Sequence, residues 1–270
     1  MERIQQAIAK ARAARQVREV AEAVQPAAND RGLDAVWSSL TEVQLNPGKL
    51  EAGRIVAHQP GPGVTAFDLM RTNLLKHLRE HGWSRVAITS PSSGCGKTTV
   101  CLNLAFSLAR QAELRVVVLE MDLRRPAIVR TLGLTGKPCL ADVLSGKETP
   151  EKGLLRIGKN LAIGANAEPA ANPAELLSSA QAAATIDAIQ ARLKPDVILF
   201  DLPPVLVIDD TLAFLDQVDC ALMIAAAEES TVAEIDRAGR ELADYTKVLG
   251  VVLNKCRFLD RAEGYGYDEY

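Results

Sequence analysis

No apolar run in this 270-residue chain approaches 18 residues, about the length a membrane-crossing helix needs, and no signal peptide opens it. The expectation is a protein that neither spans a membrane itself nor leaves the cell by the usual route. Aromatic residues make up only 4% of the chain, so the core must be aliphatic, which suits parallel strands buried on both faces. The five cysteines (Cys95, Cys101, Cys139, Cys220, Cys256) are odd in number, widely spread and form no C-x-x-C pair. That excludes a disulfide framework and a cysteine zinc site, and it fits reduced thiols in a cytosolic protein. The three histidines, His58, His77 and His81, read as scattered, with no metal cluster. Neither sign of charge dominates: the net charge is −3, so no nucleic-acid partner is expected.

What is present is ample apolar material, 48% of the residues, enough for one large domain, or one domain with an appendage. Residues 1–24 carry apolar positions at three- and four-residue steps (Ile4, Ile8, Ala11, Val17, Val20, Val24), which predicts a helix, basic in its first part. From 25 to 63, Pro26, Pro47-Gly48 and Pro60-Gly61-Pro62-Gly63 punctuate irregular text, which reads as a linker with short ordered pieces. The expected division is therefore 1–63 as basic helix and linker, 64–256 as the compact domain, and 257–270 as a tail. A helix is expected from about Thr65 to His81. After it, short apolar runs at 85–89, 115–120, 196–201, 220–226 and 248–253 alternate with helical patterns. Such alternation predicts a three-layer α/β fold, a mostly parallel sheet with helices on both faces. Ligands then sit at the carboxyl ends of the strands.

The first strand ends in Ser90-Pro91-Ser92-Ser93-Gly94-Cys95-Gly96-Lys97-Thr98-Thr99. Strand, small-residue loop, Gly-Lys-Thr and helix together form a P-loop, whose backbone N–H groups and helix N-terminus attract phosphate. Ser93, Gly94, Cys95, Gly96, Lys97, Thr98 and Thr99 are the expected nucleotide-binding residues, with Lys97 reaching the phosphates and Thr98 ligating Mg²⁺. Pro91 stands where the strict P-loop pattern has glycine. The next strand ends in Glu120-Met121-Asp122-Leu123-Arg124-Arg125-Pro126, a later one in Asp201-Leu202-Pro203-Pro204, and the last in Asn254-Lys255. Asp201 fits a carboxylate that supports Mg²⁺. Asp122 fits a base toward an acceptor hydroxyl or a further metal-shell group, with Glu120 assisting. Arg124 and Arg125 can steady a transferring phosphoryl group or pair with a neighbouring protomer. Asn254 can read an adenine edge or cap its strand. Cys95, at a helix N-terminus near Lys97, is a position where a thiol pKa can fall.

Over roughly residues 65–270 these motifs resemble the bacterial tyrosine kinases (BY-kinases) of exopolysaccharide and capsule systems, P-loop NTPases of the partition-ATPase-like class. The 90–99 loop resembles their Walker A motif, 120–126 their Walker A′, and 201–204 their Walker B. Asn172-Pro173-Ala174-Glu175-Leu176-Leu177 and the 133–146 stretch are similar to further family segments. The resemblance implies ATP and Mg²⁺ as cofactors. It implies that Lys97 and Thr98 bind phosphates and metal, that Asp122 is the catalytic carboxylate aided by Arg124, and that Asp201 supports the metal. It also implies a tyrosine-rich C-terminal acceptor. The chain has four tyrosines, and Tyr265, Tyr267 and Tyr270 fall within its last six residues.

Three departures matter. Glu120 replaces the first aspartate of Walker A′. Only Arg71 remains of the family's Glu-x-x-Arg-x-x-Arg oligomerisation signature. Ser92 stands where partition-type relatives carry a second lysine. The expected function is a cytoplasmic tyrosine autokinase that regulates polysaccharide synthesis or export. Its expected partners are a transmembrane adaptor or chain-length regulator that recruits it to the inner face of the membrane, a cognate phosphotyrosine phosphatase, and other copies of itself. The alternatives are a partition-type ATPase switch and a nucleotide-bound scaffold with weak turnover.

Overall fold

The computed structural model describes residues 28–61 and 63–256. The expected basic helix at 1–24 and the tail at 257–270 lie outside the described residues. The chain divides between Val36 and Trp37, and all the chemistry discussed below belongs to the second unit.

Eight strands form one sheet. In chain order they are β1 (Thr41–Glu42), β2 (Arg85–Thr89), β3 (Val116–Glu120), β4 (Leu154–Ile157), β5 (Leu161–Gly164), β6 (Val197–Asp201), β7 (Cys220–Ala226) and β8 (Lys247–Asn254). Their spatial order is β1-β4-β5-β3-β6-β2-β7-β8. Every neighbouring pair is parallel except the β4–β5 hairpin. The helices are α1 (Ala28–Ser39), α2 (Pro47–Ala52), α3 (Thr65–His81), α4 (Lys97–Ala109), α5 (Ile128–Leu132), α6 (Leu140–Leu144), α7 (Pro150–Gly153), α8 (Pro173–Leu177), α9 (Ala180–Leu193) and α10 (Val232–Ala243). A 3₁₀ turn at Leu212–Gln217 precedes β7.

Because successive strand side chains point to opposite faces, the central strands need apolar residues at every position, and β3, β6 and β7 are buried throughout. On one face Val86, Ile88, Val116, Val118, Val197, Leu199, Leu222 and Ile224 pack with α4 and with Leu74, Leu75 and Leu78 of α3. The opposite positions, such as Ala87, Val117, Ile198, Phe200, Ala221 and Met223, are equally buried. There Phe200 meets Phe214 of the 3₁₀ turn at a ring separation of 5.0 Å. The expected three-layer architecture is the observed one. β8 differs from expectation. It is an edge strand with Val251 and Leu253 exposed, not a strand buried on both faces.

The segment expected as linker is part of the domain from Trp37 onward. Trp37, Leu40, Leu50, Ile55 and Ala57 are buried, and the indole N–H of Trp37 donates to the Leu193 carbonyl at 2.9 Å. Asn103 of α4 holds the strap at 54–57 with its whole amide. Its oxygen accepts from the N–H groups of Val56 and Ala57, and its nitrogen donates to the carbonyls of Arg54 and Thr99. A domain boundary at residue 63 would cut through this packing.

α3 spans the expected residues and ends at Gly82 in the left-handed conformation (φ 68°). The arginine that survives from the oligomerisation signature works inside the fold. Arg71 donates to Asp68 and to the carbonyl and hydroxyl of Ser107, and Arg110 donates to Asp68 at 2.6 Å. This network ties α3 to α4. The histidines are not all scattered. α3 brings His77 and His81 together with Glu80, because residues three and four apart share a helix face.

Candidate active site

β2 delivers the phosphate loop and α4 leaves it. Gly94 and Gly96 adopt left-handed backbone (φ 86° and 85°), which side-chain-bearing residues rarely occupy. A Cβ on Gly96 would also collide with Asn254 Nδ2. The loop is braced from within and from the sheet edge. Ser90 Oγ donates to the Ser92 carbonyl at 2.7 Å, and Asn254 Nδ2 donates to the Cys95 carbonyl at 2.8 Å. Asn254 thus clamps the loop with one N–H of its amide. Cys95 is buried, its sulfur 3.6 Å from the hydroxyls of Ser92 and Ser230. Burial raises its thiol pKa, but the hydrogen bonds from Ser230 and Ser92 outweigh that and hold it below the ordinary value.

Three strand ends converge on Lys97. Its ammonium donates to Asp122 Oδ2 at 2.8 Å and lies 3.8 Å from Asp201 Oδ1. Burial by itself would pull the Lys97 pKa down, but the charges of Asp201 and Asp122 outweigh it and hold the ammonium above its ordinary value. Thr98 Oγ1 donates to Asp201 Oδ2 at 2.6 Å. Asp201 is fully buried, and burial pushes its carboxyl up against the opposing pull of Lys97 and Thr98. The backbone locks the same groups in register, since the N–H groups of Met121 and Asp122 both donate to the Asp201 carbonyl. Asp122 Oδ1 accepts the Arg125 N–H at 3.1 Å, leaving the carboxylate at the cavity wall. That cavity, about 290 Å³, is lined by Ser93, Gly94, Lys97, Asp122, Arg124 and Arg125 on its polar side and by Pro204, Val207 and Ile208 on the other.

The donor set fits a hard divalent cation, which takes oxygen ligands. Asp201 Oδ1 is buried with no hydrogen-bond partner among the described residues. Such an orphan is costly unless something else engages it, and the Thr98 hydroxyl stands on the same carboxylate.

Glu120 differs from its expected role, and Asp210 joins the site without having been expected there. Glu120 commits its carboxylate to the backbone. Its carboxylate is fully buried and accepts the N–H groups of Ala127 and Ile128 through Oε1 and of Asn166 through Oε2. It caps the start of α5 and holds the turn that carries Arg124 and Arg125. Burial pushes this carboxyl up to about 7 against those three donors. Its extra methylene relative to aspartate carries the carboxylate to the N–H groups of this turn. Asp210, absent from the sequence reading, is also fully buried and takes Arg124 in a two-pronged pair at 2.7 and 2.9 Å. The available signal was the Asp209-Asp210 pair shortly after Pro203-Pro204, but its partner lies 86 residues earlier.

Asp210 is accordingly a positioning residue for Arg124. Asp210→Asn is expected to lower phosphoryl transfer at least about tenfold through a misplaced guanidinium, since displacements of this kind are costly. A double-mutant cycle with Arg124→Gln checks it: the double variant should be no worse than the worse single. Additive losses would separate the two residues.

The family model of the CobQ/CobB/MinD/ParA nucleotide binding domain matches residues 86–261, from β2 past β8. The chain belongs to that family. Several curated relatives that it matches carry kinase names. It is 30% identical over 212 residues to the tyrosine-protein kinase Wzc of Salmonella typhi, covering 77% of this chain and 29% of that protein. It is 29% identical over 203 residues to the tyrosine-protein kinase YwqD of Bacillus subtilis (strain 168), covering 74% of this chain and 84% of that one. The chain spans 27% to 29% of the length of the first curated relatives it matches. Among solved structures, the kinase domain of the Escherichia coli tyrosine kinase ETK superposes with a TM-score of 0.66 at 25% identity, covering 76% of this chain and 80% of that one. Among the described residues no helix is long and apolar enough to cross a membrane.

Proposed function

We propose that this chain is an ATP-dependent protein-tyrosine autokinase of the polysaccharide-export type. The observation that carries the proposal is the convergence of Lys97, Thr98, Asp122 and Asp201 from three strand ends on one buried point. The tyrosine-rich sequence at 265–270 supplies an acceptor class. Thr98 and Asp201 would hold Mg²⁺, with Asp122 beside them. When bound, the ion neutralises phosphate charge and orients the terminal phosphoryl group. The loop N–H groups from Ser93 to Thr99 would cradle the phosphates. Lys97 would exchange its Asp122 contact for phosphate oxygen. That frees Asp122 to orient the tyrosine hydroxyl and accept its proton. Arg124 and Arg125, at the cavity mouth, would steady charge on the moving group.

The reading extends to a transmembrane chain-length regulator as adaptor at the inner face of the membrane, a phosphotyrosine phosphatase that reverses the modification, and contacts between copies of the chain. The kinase names of Wzc and YwqD support the activity.

The test uses labelled ATP and Mg²⁺ with the wild type and with Tyr265→Phe, Tyr267→Phe and Tyr270→Phe combined. The triple variant is expected to lose at least nine-tenths or so of the label while still binding nucleotide, because the loop and carboxylates are untouched. Undiminished label would sink the assignment of the acceptors. Wild-type ATP hydrolysis with no phosphotyrosine at all would favour the ATPase-switch reading.

A further inference from the structure

The geometry points to a second metal site, for a borderline divalent transition ion of the zinc class, formed by His77, Glu80 and His81 at the end of α3. One ligand atom from each of these three side chains lies within 4.8 Å of the other two, and all three residues are exposed. The spacing explains the convergence. Positions i, i+3 and i+4 lie on one helix face, and the helix runs unbroken to His81. A tetrahedral zinc at its usual bond lengths would draw the ligands to roughly 3.4 Å apart. Exposed side chains reach that separation by small χ rotations.

A backbone contact sets the tautomer of His81. Its Nδ1 lies 2.9 Å from the His77 carbonyl. A carbonyl can only accept, so Nδ1 carries the proton and Nε2 presents its lone pair. Metal-binding histidines are characteristically fixed through such a bond from the other ring nitrogen. The ring is held from its face as well, stacked on Trp83 at 4.2 Å and 19°. Glu80 lies 3.9 Å from His77 Nδ1 and 3.9 Å from Lys76 Nζ. Neither is a tight pair, so the carboxylate is available to a cation.

Two imidazoles and one carboxylate select against Mg²⁺, which prefers an all-oxygen shell. The site therefore does not compete for the ion expected at Thr98 and Asp201. Its position agrees. α3 leads through Gly82 into the start of β2, whereas the phosphate loop leaves the end of β2. Five strand residues separate the two by on the order of 15 Å. Three protein ligands leave a fourth tetrahedral position to water.

The test titrates the full chain with ZnCl₂ in millimolar Mg²⁺ by calorimetry, alongside a His77→Gln, His81→Gln double variant. The imidazole resonances are followed by NMR. The chain has three histidines, so His58 is an internal control. Expected are one zinc site that weakens at least about tenfold in the double variant, and zinc-dependent shifts at His77 and His81 but not at His58. Both substitutions lie on the exposed face of α3, and an unchanged melting temperature confirms the fold. Equal zinc binding by wild type and variant would place the ion elsewhere, at a thiol such as exposed Cys256, and would overturn the inference. So would an absence of zinc binding.

Discussion

Lys97→Met is expected to cut nucleotide-dependent tyrosine phosphorylation at least a hundredfold. Preorganised charge aimed at a transferring group is worth about 10²–10³ in rate per donor, and Lys97 is held above its ordinary pKa by Asp201 and Asp122 in a largely buried position. Methionine keeps the length and apolar stem but not the charge. It also leaves two neighbouring buried carboxylates without their cation, an arrangement that proteins tolerate poorly. The variant's fold must therefore be verified by circular dichroism. Lys97→Arg, which retains the charge, separates loss of fold from loss of chemistry. A folded Lys97→Met protein that labels within a few-fold of wild type would remove Lys97 from the phosphoryl-transfer site.

The largest expected effect on stability comes from the far side of the molecule. Trp37→Ala should destabilise the domain by about 3–5 kcal/mol, the usual range for deleting a buried aromatic. For a domain of this size that lowers the melting temperature by roughly 10 °C. Trp37 is 2% exposed and its N–H is bonded to Leu193, so truncation opens a cavity and strands a carbonyl at the end of α9. Differential scanning calorimetry reads the change directly. Trp37→Phe should recover part of the loss by refilling the space without restoring the hydrogen bond. A shift below about 1 °C would mean that the 37–63 segment adds nothing to the domain.

That segment also shows where sequence patterns stop being informative. The central strands were legible because burial on both faces demands unbroken aliphatic runs, as in Val116-Val117-Val118-Leu119. β1 has two residues and carries no periodicity at all. β4 and β5 have four residues each and join in a tight hairpin, too short to separate from turn sequence. The strap at 54–57 is held by one asparagine inside an apolar helix, a long-range contact that no local rule encodes. In the site, the phosphate loop, Asp122 and Asp201 were legible because strand ends in a parallel sheet must meet. Where a side chain turns within that space was not. Glu120 looked like a site carboxylate and instead points inward to cap α5. Arg124 is committed to an aspartate on another loop. The i, i+4 spacing of His77 and His81 was visible in the sequence. It became a cluster only once α3 was known to continue through both.

The bond from Asn254 to the Cys95 carbonyl has a kinetic consequence. It ties the last residue of β8 to the phosphate loop, and from that residue the sequence runs on to Tyr265, Tyr267 and Tyr270. Even fully extended, the roughly eleven residues from Asn254 to Tyr265 span no more than ~40 Å, and the roughly sixteen to Tyr270 no more than ~58 Å. On the autokinase proposal, an acceptor within that reach would be presented at an effective concentration that can reach the millimolar range. Phosphorylation within one copy would then be independent of protein dilution, whereas transfer between separate copies would fall in proportion to it.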